Sequence, residues 1–318
     1  MDTQKNFEIT VIGAAILDVL AQPVTAEVFQ TGSRPVERTN LSPGGDAFNE
    51  AILLSRFGKR VELVSKVGDD LAGDAVLQLC GRNGLDTSRI RREAGLATGV
   101  NVVLTDPAGE RYFLTNPHSS LRTLCEADLD PWLDGAADLV SFASLFVSPL
   151  LPIPAVERVF RRLKARPGRV LCADMTKAKH GERLEDLAGI LPLVDFLFPN
   201  AQEAALLTGD DDPERSARRL VDAGVGCAAV KCGSRGCLLA TRDGCRTIPA
   251  YPDARCVDTT GAGDTFAAGF LWALSEGWEL PACARLACAA ASCAVEKLGA
   301  TDATRSLDEA LERFRKPW

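Results

Sequence analysis

Val257-Asp258-Thr259-Thr260-Gly261-Ala262-Gly263-Asp264-Thr265-Phe266 leads from a polar, glycine-rich turn straight into a helix whose apolar side carries Phe266, Phe270 and Ala273. Such small residues leave the first N–H groups of the helix open, so that they can close on an anion with the helix dipole behind them. Asp264 falls in the first turn, where that dipole favours the ionised carboxylate, the form a general base needs at neutral pH. The same residues also suit a plain capped helix in which Asp264 only complements the dipole.

Outward from this turn the chain alternates strand and helix. Upstream, strand patterns at 139–146, 169–174, 194–198, 227–231 and 237–240 are interleaved with helical spacing at 154–164, 203–207 and 216–223. Downstream, 263–275, 282–297 and 307–314 read as helices. The first strand is 8–13, followed by a helix at 46–57, a strand at 61–67 and a helix at 71–80. Strands separated by helices predict an α/β protein with a mainly parallel central sheet covered on both faces, a three-layer α/β/α arrangement. Residues 98–114 differ. Val100, Val102 and Leu104 alternate, Asp106-Pro107-Ala108-Gly109 turns, and Arg111 to Leu114 returns, which predicts a hairpin with one wet face. With the irregular stretch before Pro43 it makes a small β flap, about 19–42 and 97–116, on a single domain spanning 1–318. An apolar flap face without helices over it marks an interface, and a homodimer is expected.

Composition narrows the functions. The 318 residues carry net charge −7, with no basic stripe for a nucleic acid to neutralise. The start of the chain lacks a basic segment followed by an apolar one, and no apolar run is long enough for a membrane span, so a cytoplasmic protein is expected. The eleven cysteines form no C-x-x-C pair and only two histidines accompany them, which predicts reduced core thiols rather than a zinc site. No P-loop is present, and Gly13 to Asp18 lacks the glycine spacing of a dinucleotide fingerprint.

Further constellations suit a polyol and a nucleotide. Pro43-Gly44-Gly45-Asp46-Ala47-Phe48-Asn49 is a glycine pair opening a helix: Gly44 and Gly45 let a ligand approach the backbone, and Asn49 offers donor and acceptor. Asp18, just after the first strand, is able to accept hydroxyl hydrogens or to remain a solvated loop carboxylate. Phe198-Pro199-Asn200-Ala201-Gln202-Glu203 leaves a strand for a helix, so Asn200 and Glu203 either hold a hydrated Mg²⁺ through water or simply cap that helix. Val230-Lys231-Cys232-Gly233-Ser234-Arg235-Gly236-Cys237 is a tight hairpin that is also able to seat a nucleotide. Asp174, Thr176 and Lys177 end a strand on the ligand side, where they either shape acceptor choice or form a plain polar loop; a sugar phosphate fits if Arg111 or Lys177 points into the site.

These segments, in this order and over essentially the whole chain, resemble the ribokinase-like carbohydrate kinases, also called the phosphofructokinase B family. Gly44-Gly45-x-Ala47-x-Asn49 and Asp258 to Asp264 are the most specific pieces; Gly44 to Ala51 and Leu171 to Met175 are similar to a bacterial branch of uncharacterised sugar kinases. The resemblance implies a small β lid over the sugar and transfer of the ATP phosphate to a hydroxyl. It implies Asp264 as base, with Gly261, Ala262 and Gly263 as the anion hole. Asp18, Gly44, Gly45 and Asn49 fall on sugar contacts, Asn200 and Glu203 on the Mg²⁺ and phosphate motif, Lys231 and Gly233 near the nucleotide. Backbone carbonyls around Asp258, Thr260 and Gly299 would hold K⁺, although 299–303 departs from the family pattern where a serine often ligates the ion. It also implies lids paired across a dimer. Nucleoside kinases and non-catalytic sensors share the fold. An intact base and anion turn favour an enzyme, and 6% aromatic residues favour a sugar over a stacked base.

Overall fold

Strands Ile9–Ile12, Val61–Gly68 and Leu139–Leu145 are buried at every position, which requires cover on both faces of the sheet they form. The computed structural model describes residues 7–297, 299–302 and 304–317, and it supplies that cover. The nine-stranded sheet runs, from one edge, β13 (Gly244–Ile248), β12 (Cys237–Thr241), β11 (Cys227–Lys231), β10 (Phe196–Leu197), β9 (Val170–Met175), β8 (Leu139–Leu145), β1 (Ile9–Ile12), β4 (Val61–Gly68) and β5 (Ile90–Glu93). From β11 to β5 every pairing is parallel; β11–β12 and β12–β13 are antiparallel, so the edge beyond the Gly233 turn is a meander.

Side chains alternate along each strand between two cores. Ile9, Val11, Cys172, Cys227 and Ala229 face α2 (Asp46–Arg56), α3 (Leu71–Arg82), α8 (Ala262–Ser275) and α9 (Leu280–Ala294), with α10 (Asp308–Arg315) packed on α9. Ile12, Val140, Phe142, Leu171, Ala228 and Val230 face the other layer, made by α4 (Glu126–Leu129), α5 (Ile153–Lys164), α6 (Ala201–Thr208) and α7 (Pro213–Asp222). The buried thiols of Cys172, Cys227, Cys237 and Cys283 are part of these apolar layers and are free.

A four-stranded sheet stands beside this sandwich in the order β3 (Arg38–Gly44), β2 (Ile16–Gln22), β6 (Val100–Thr105), β7 (Arg111–Thr115), with the one-turn α1 (Val28–Thr31) between β2 and β3. The hairpin β6–β7 is the expected one. The stretch read as irregular before Pro43 is ordered by pairing: β2 is antiparallel to β3 and parallel to β6. Leu41, Tyr112, Phe113 and Leu114 are exposed on this lid. The strand expected at 194–198 narrows to Phe196–Leu197, and β5 and β13 had no expectation attached to them.

α8 is anchored where the parallel strands end. The Phe198 ring, one residue past β10, lies 5.0 Å from Phe270 and 6.3 Å from Phe266, and Trp272 donates its indole N–H to Phe57 O at 3.0 Å. That packing fixes the N-terminus of α8 at the carboxyl edge of the sheet, under the lid.

Candidate active site

The turn before α8 depends on Gly261. It has φ +72°, and a Cβ there would stand 2.3 Å from Ala300 O, so the turn and the 299–302 segment touch through backbone alone. Asp258 ties the same two segments: Oδ2 accepts from Gly299 N–H at 3.0 Å, while Oδ1 accepts from Thr260 N–H at 2.9 Å and the Thr260 hydroxyl at 2.6 Å. Burial opposes the Asp258 charge, but these bonds and nearby Arg111 hold its carboxyl below the ordinary range. Asp258, Thr260 and Gly299, expected around a K⁺ site, are thus neighbours; Ala303, at the end of that segment, lies outside the described residues. Ala262 N–H is occupied by Thr259 O at 3.2 Å, whereas the N–H groups of Gly261, Gly263 and Asp264 make no hydrogen bond among the described residues. A Cβ on Gly263 would lie 3.4 Å from Lys231 Nζ, so the Lys231 ammonium reaches the first turn of α8.

Asp264 meets α2 across the site. Asn49 Nδ2 donates to Asp264 Oδ2 at 2.7 Å, joining residues 215 apart in the chain, while buried Asn49 Oδ1 has no partner. The helix dipole was expected to keep Asp264 ionised. Other groups also act on that carboxyl: burial, then the proximity of Asp46 and Asp174, raise its pKa above the carboxylate norm, while Asn49 and Lys231 favour the ionised form that a base needs.

Gly44 brings Asp18 to the same cleft. Antiparallel β2–β3 pairing sets Gly44 opposite Ile16 and diagonal to Asp18, and a Cβ on Gly44 would fall 2.5 Å from the Asp18 carboxyl. Asn101 Nδ2 donates to Asp18 Oδ1 at 3.1 Å; burial pushes the Asp18 pKa up to about 6, against Asn101 and Arg111. Gly45 caps α2 and lines the cleft with Asp46.

Lys231, at the end of β11, donates to Asp174 Oδ2 at 2.6 Å. Burial works against its ammonium, yet Asp174, Glu203 and Asp264 hold its pKa above the usual value. Gly233, two residues on, opens the hairpin turn at φ +59°. Asn200 and Glu203 form a reciprocal helix cap, Asn200 Oδ1 accepting from Glu203 N–H at 2.9 Å and Glu203 Oε2 from Asn200 N–H at 2.8 Å. Burial pushes Glu203 up to about 7 despite the Asn200 bond and Lys231. No cluster of three His, Cys, Asp or Glu side chains able to cage a metal occurs among the described residues.

Between lid and sandwich lies a cleft of about 320 Å³ lined by Asp18, Asn49, Asn101, Arg111, Gly263 and Asp264 among others. Residues that the sequence did not single out also line it: Asn101, Arg122, Ser144 and Lys179. Arg111, on β7, hydrogen-bonds the Thr260 hydroxyl and reaches the Thr259 hydroxyl at 3.2 Å, so the lid grips the anion turn. Lys177 is exposed and is not part of the lining; Lys179 takes that place. Phe113 is the one aromatic ring among the lining residues.

A crossover sheet with an open helix N-terminus, a carboxylate beside it and a lidded polar cleft defines a phosphotransferase of the α/β class that acts on small hydroxylated molecules. The chain belongs to the pfkB family of carbohydrate kinases, which it matches over residues 6–307. It is 31% identical over 261 residues to an uncharacterised sugar kinase of Archaeoglobus fulgidus, covering 80% of this chain and 99% of that protein. It is 25% identical to a ribokinase of Haemophilus influenzae, covering 96% of this chain and 97% of the other. The structure of an Arabidopsis thaliana ribokinase complexed with ribose and ATP superposes with TM-score 0.80 at 23% identity, over 98% of this chain and 99% of that one. The protein is a carbohydrate kinase with the ribokinase-like fold.

Proposed function

We propose that the protein transfers the terminal phosphate of ATP to a hydroxyl, primary by expectation, of a sugar or sugar derivative, with Asp264 as general base. The observation that carries this is Asp264 in the first turn of α8, held by Asn49 beside the open N–H groups of Gly261 and Gly263. Phosphoryl transfer asks mainly for alignment and for neutralisation of the equatorial oxygens. The Gly261, Gly263 and Asp264 N–H groups and the Lys231 ammonium supply donors to those oxygens; Ala262, occupied by Thr259, contributes through its small side chain rather than its N–H. Asn49 Oδ1 and Asp18 accept hydrogens from acceptor hydroxyls and orient the reacting oxygen. Asp264 takes its proton as the oxygen–phosphorus bond forms and the bond to the ADP oxygen breaks. The lid shuts out water that would otherwise receive the phosphate.

Mg²⁺ fits this donor set only in a shared way. With no carboxylate cage among the described residues, Glu203 would hold the ion through water, shared with the nucleotide phosphates, and the chemistry supplied there would be charge neutralisation. Backbone carbonyls near Asp258, Thr260 and Gly299 would take K⁺. The exposed apolar side chains of Leu41, Tyr112 and Leu114 on the lid support a homodimer as the proposed assembly. No helix among the described residues is long and apolar enough to cross a membrane, which fits the proposed cytoplasmic setting.

The test is Asp264→Asn, assayed by ADP release with a panel of sugars. Loss of the base lowers turnover by about 10²–10⁴-fold while ATP still binds. Turnover close to wild type in a folded variant overturns the mechanism.

A further inference from the structure

The segments that follow the lid and β9 bring to the cleft two cations, Arg122 and Lys179, that no ion pair engages among the described residues. Arg122 uses Nη1 to hold Val147 O at 2.7 Å, and no hydrogen bond engages its other nitrogens among the described residues. Lys179 has no hydrogen-bond or ion-pair partner among the described residues. Its pKa is lowered, first by partial burial and next by the Arg122 charge, so the two cations share one space. Asp46 and Glu182 are the acidic groups that Lys179 feels, and neither pairs with it.

Ser144 lines the same cleft as these two cations. It is 7% exposed, its hydroxyl has no partner, and its backbone is held at φ +69° beside an irregularity in the β8–β9 register. A buried hydroxyl without a partner is costly, and that cost is removed if the hydroxyl donates to a ligand atom that accepts. Thr176, bonded to Leu145 O at 3.1 Å, closes the same corner. Two unneutralised cations and a spare donor form a receptor for a compact anion, and they do not suit a neutral polyol, which brings no charge to either.

We infer that the acceptor is an anionic sugar, a sugar acid or a phosphosugar, whose carboxylate or phosphate seats on Arg122, Lys179 and Ser144 while its hydroxyl end reaches Asp264. Asp46 lies within the field of both Lys179 and Lys231. The inference rests on the kinase reading above and narrows its substrate.

The experiment pairs charged and neutral acceptors of matched skeleton, gluconate with glucose and fructose 6-phosphate with fructose, in the ADP-release assay. At least one charged acceptor is expected to exceed its neutral partner tenfold or more in kcat/KM, and which one does so separates carboxylate from phosphate. Lys179→Ala, at an exposed side chain with no bonds to lose, should raise the KM for that acceptor about ten- to a hundredfold with kcat little changed. Lys179→Arg should restore it, and the neutral partner's KM should not move. A neutral sugar used as well as both charged ones, or a charged-acceptor KM unmoved in Lys179→Ala, overturns the inference. If no acceptor turns over, the kinase reading is what has failed. Calorimetric titration of gluconate and fructose 6-phosphate into wild type and Lys179→Ala then decides the anion seat separately: binding weakened by the substitution supports it, and absent or unchanged binding overturns it.

Discussion

Replacing Gly261 by alanine perturbs the anion turn without touching a polar side chain. The residue sits at φ +72°, where an L side chain costs roughly 1–2 kcal/mol. The added Cβ would meet Ala300 O at 2.3 Å and Ala300 Cα at 2.6 Å, both backbone atoms, so the turn and the 299–302 segment must separate by about 1 Å to reach an ordinary contact. Forcing extra atoms into packed structure costs roughly 1–3 kcal/mol, giving about 2–5 kcal/mol in all. In a chain of this size that lowers Tm by roughly 3–7 °C. Displacing a phosphate-binding turn by about 1 Å should reduce turnover by about 10²-fold, measured per folded molecule below the transition. Gly263→Ala is the control: its backbone is helical and its Cβ would meet only the mobile end of Lys231 at 3.4 Å, so stability should hold or rise slightly. Calorimetry and ADP release on both variants check this. A Gly261→Ala protein with wild-type Tm and turnover would refute the contact on which the turn's geometry rests.

Lys231→Ala should raise the KM for ATP more than it lowers kcat, because the ammonium faces phosphate oxygens in both ground and transition states; an unchanged KM would leave Lys231 as a partner of Asp174 alone. Asp18 and Glu203 carry folded pKa values of about 6 and about 7, above their unfolded values. The stability this confers is complete below pH 4 and is lost as pH rises through those values. The unliganded protein should therefore melt lower at pH 8 than at pH 5.5, with Glu203→Gln flattening the upper part of the curve; a Tm that climbs across that window contradicts the burial of these groups. Light scattering at micromolar concentration should give a dimer mass that Leu114→Lys reduces to the monomer, and a monomeric wild type would remove the lid as an interface.

The sandwich was legible because buried parallel strands are continuous apolar runs and the helices between them repeat on one face. The glycine pairs were legible for a different reason: only glycine tolerates the Asp18 carboxyl against Gly44 or the Ala300 backbone against Gly261, so the constraint is written in residue type. β3 was not, since its outer half is exposed and its residues, including Pro43, lack strand propensity; pairing with β2 orders it. β13 is short and half exposed, and leaves an equally weak trace. Asn49 and Asp264 could each be named, but their bond joins distant helices and appears only in three dimensions. Arg122, Ser144 and Lys179 belong to no motif. After β9 the chain is irregular, so no periodicity tells Lys177 from Lys179, and the unusual backbone of Ser144 has no signature in a serine. The carboxylates that oppose the Asp264 charge were not legible either, because a dipole is local to one helix whereas Asp46 and Asp174 come from other elements.

The Arg111 guanidinium, rooted in β7 and bonded to Thr259 and Thr260, makes lid and anion turn one mechanical unit. Lifting the lid means breaking that clasp, and the two ends of the cleft cannot loosen independently. A single side chain thus acts as a latch whose strength sets how long a captured acceptor dwells beside the phosphate before it reacts or escapes.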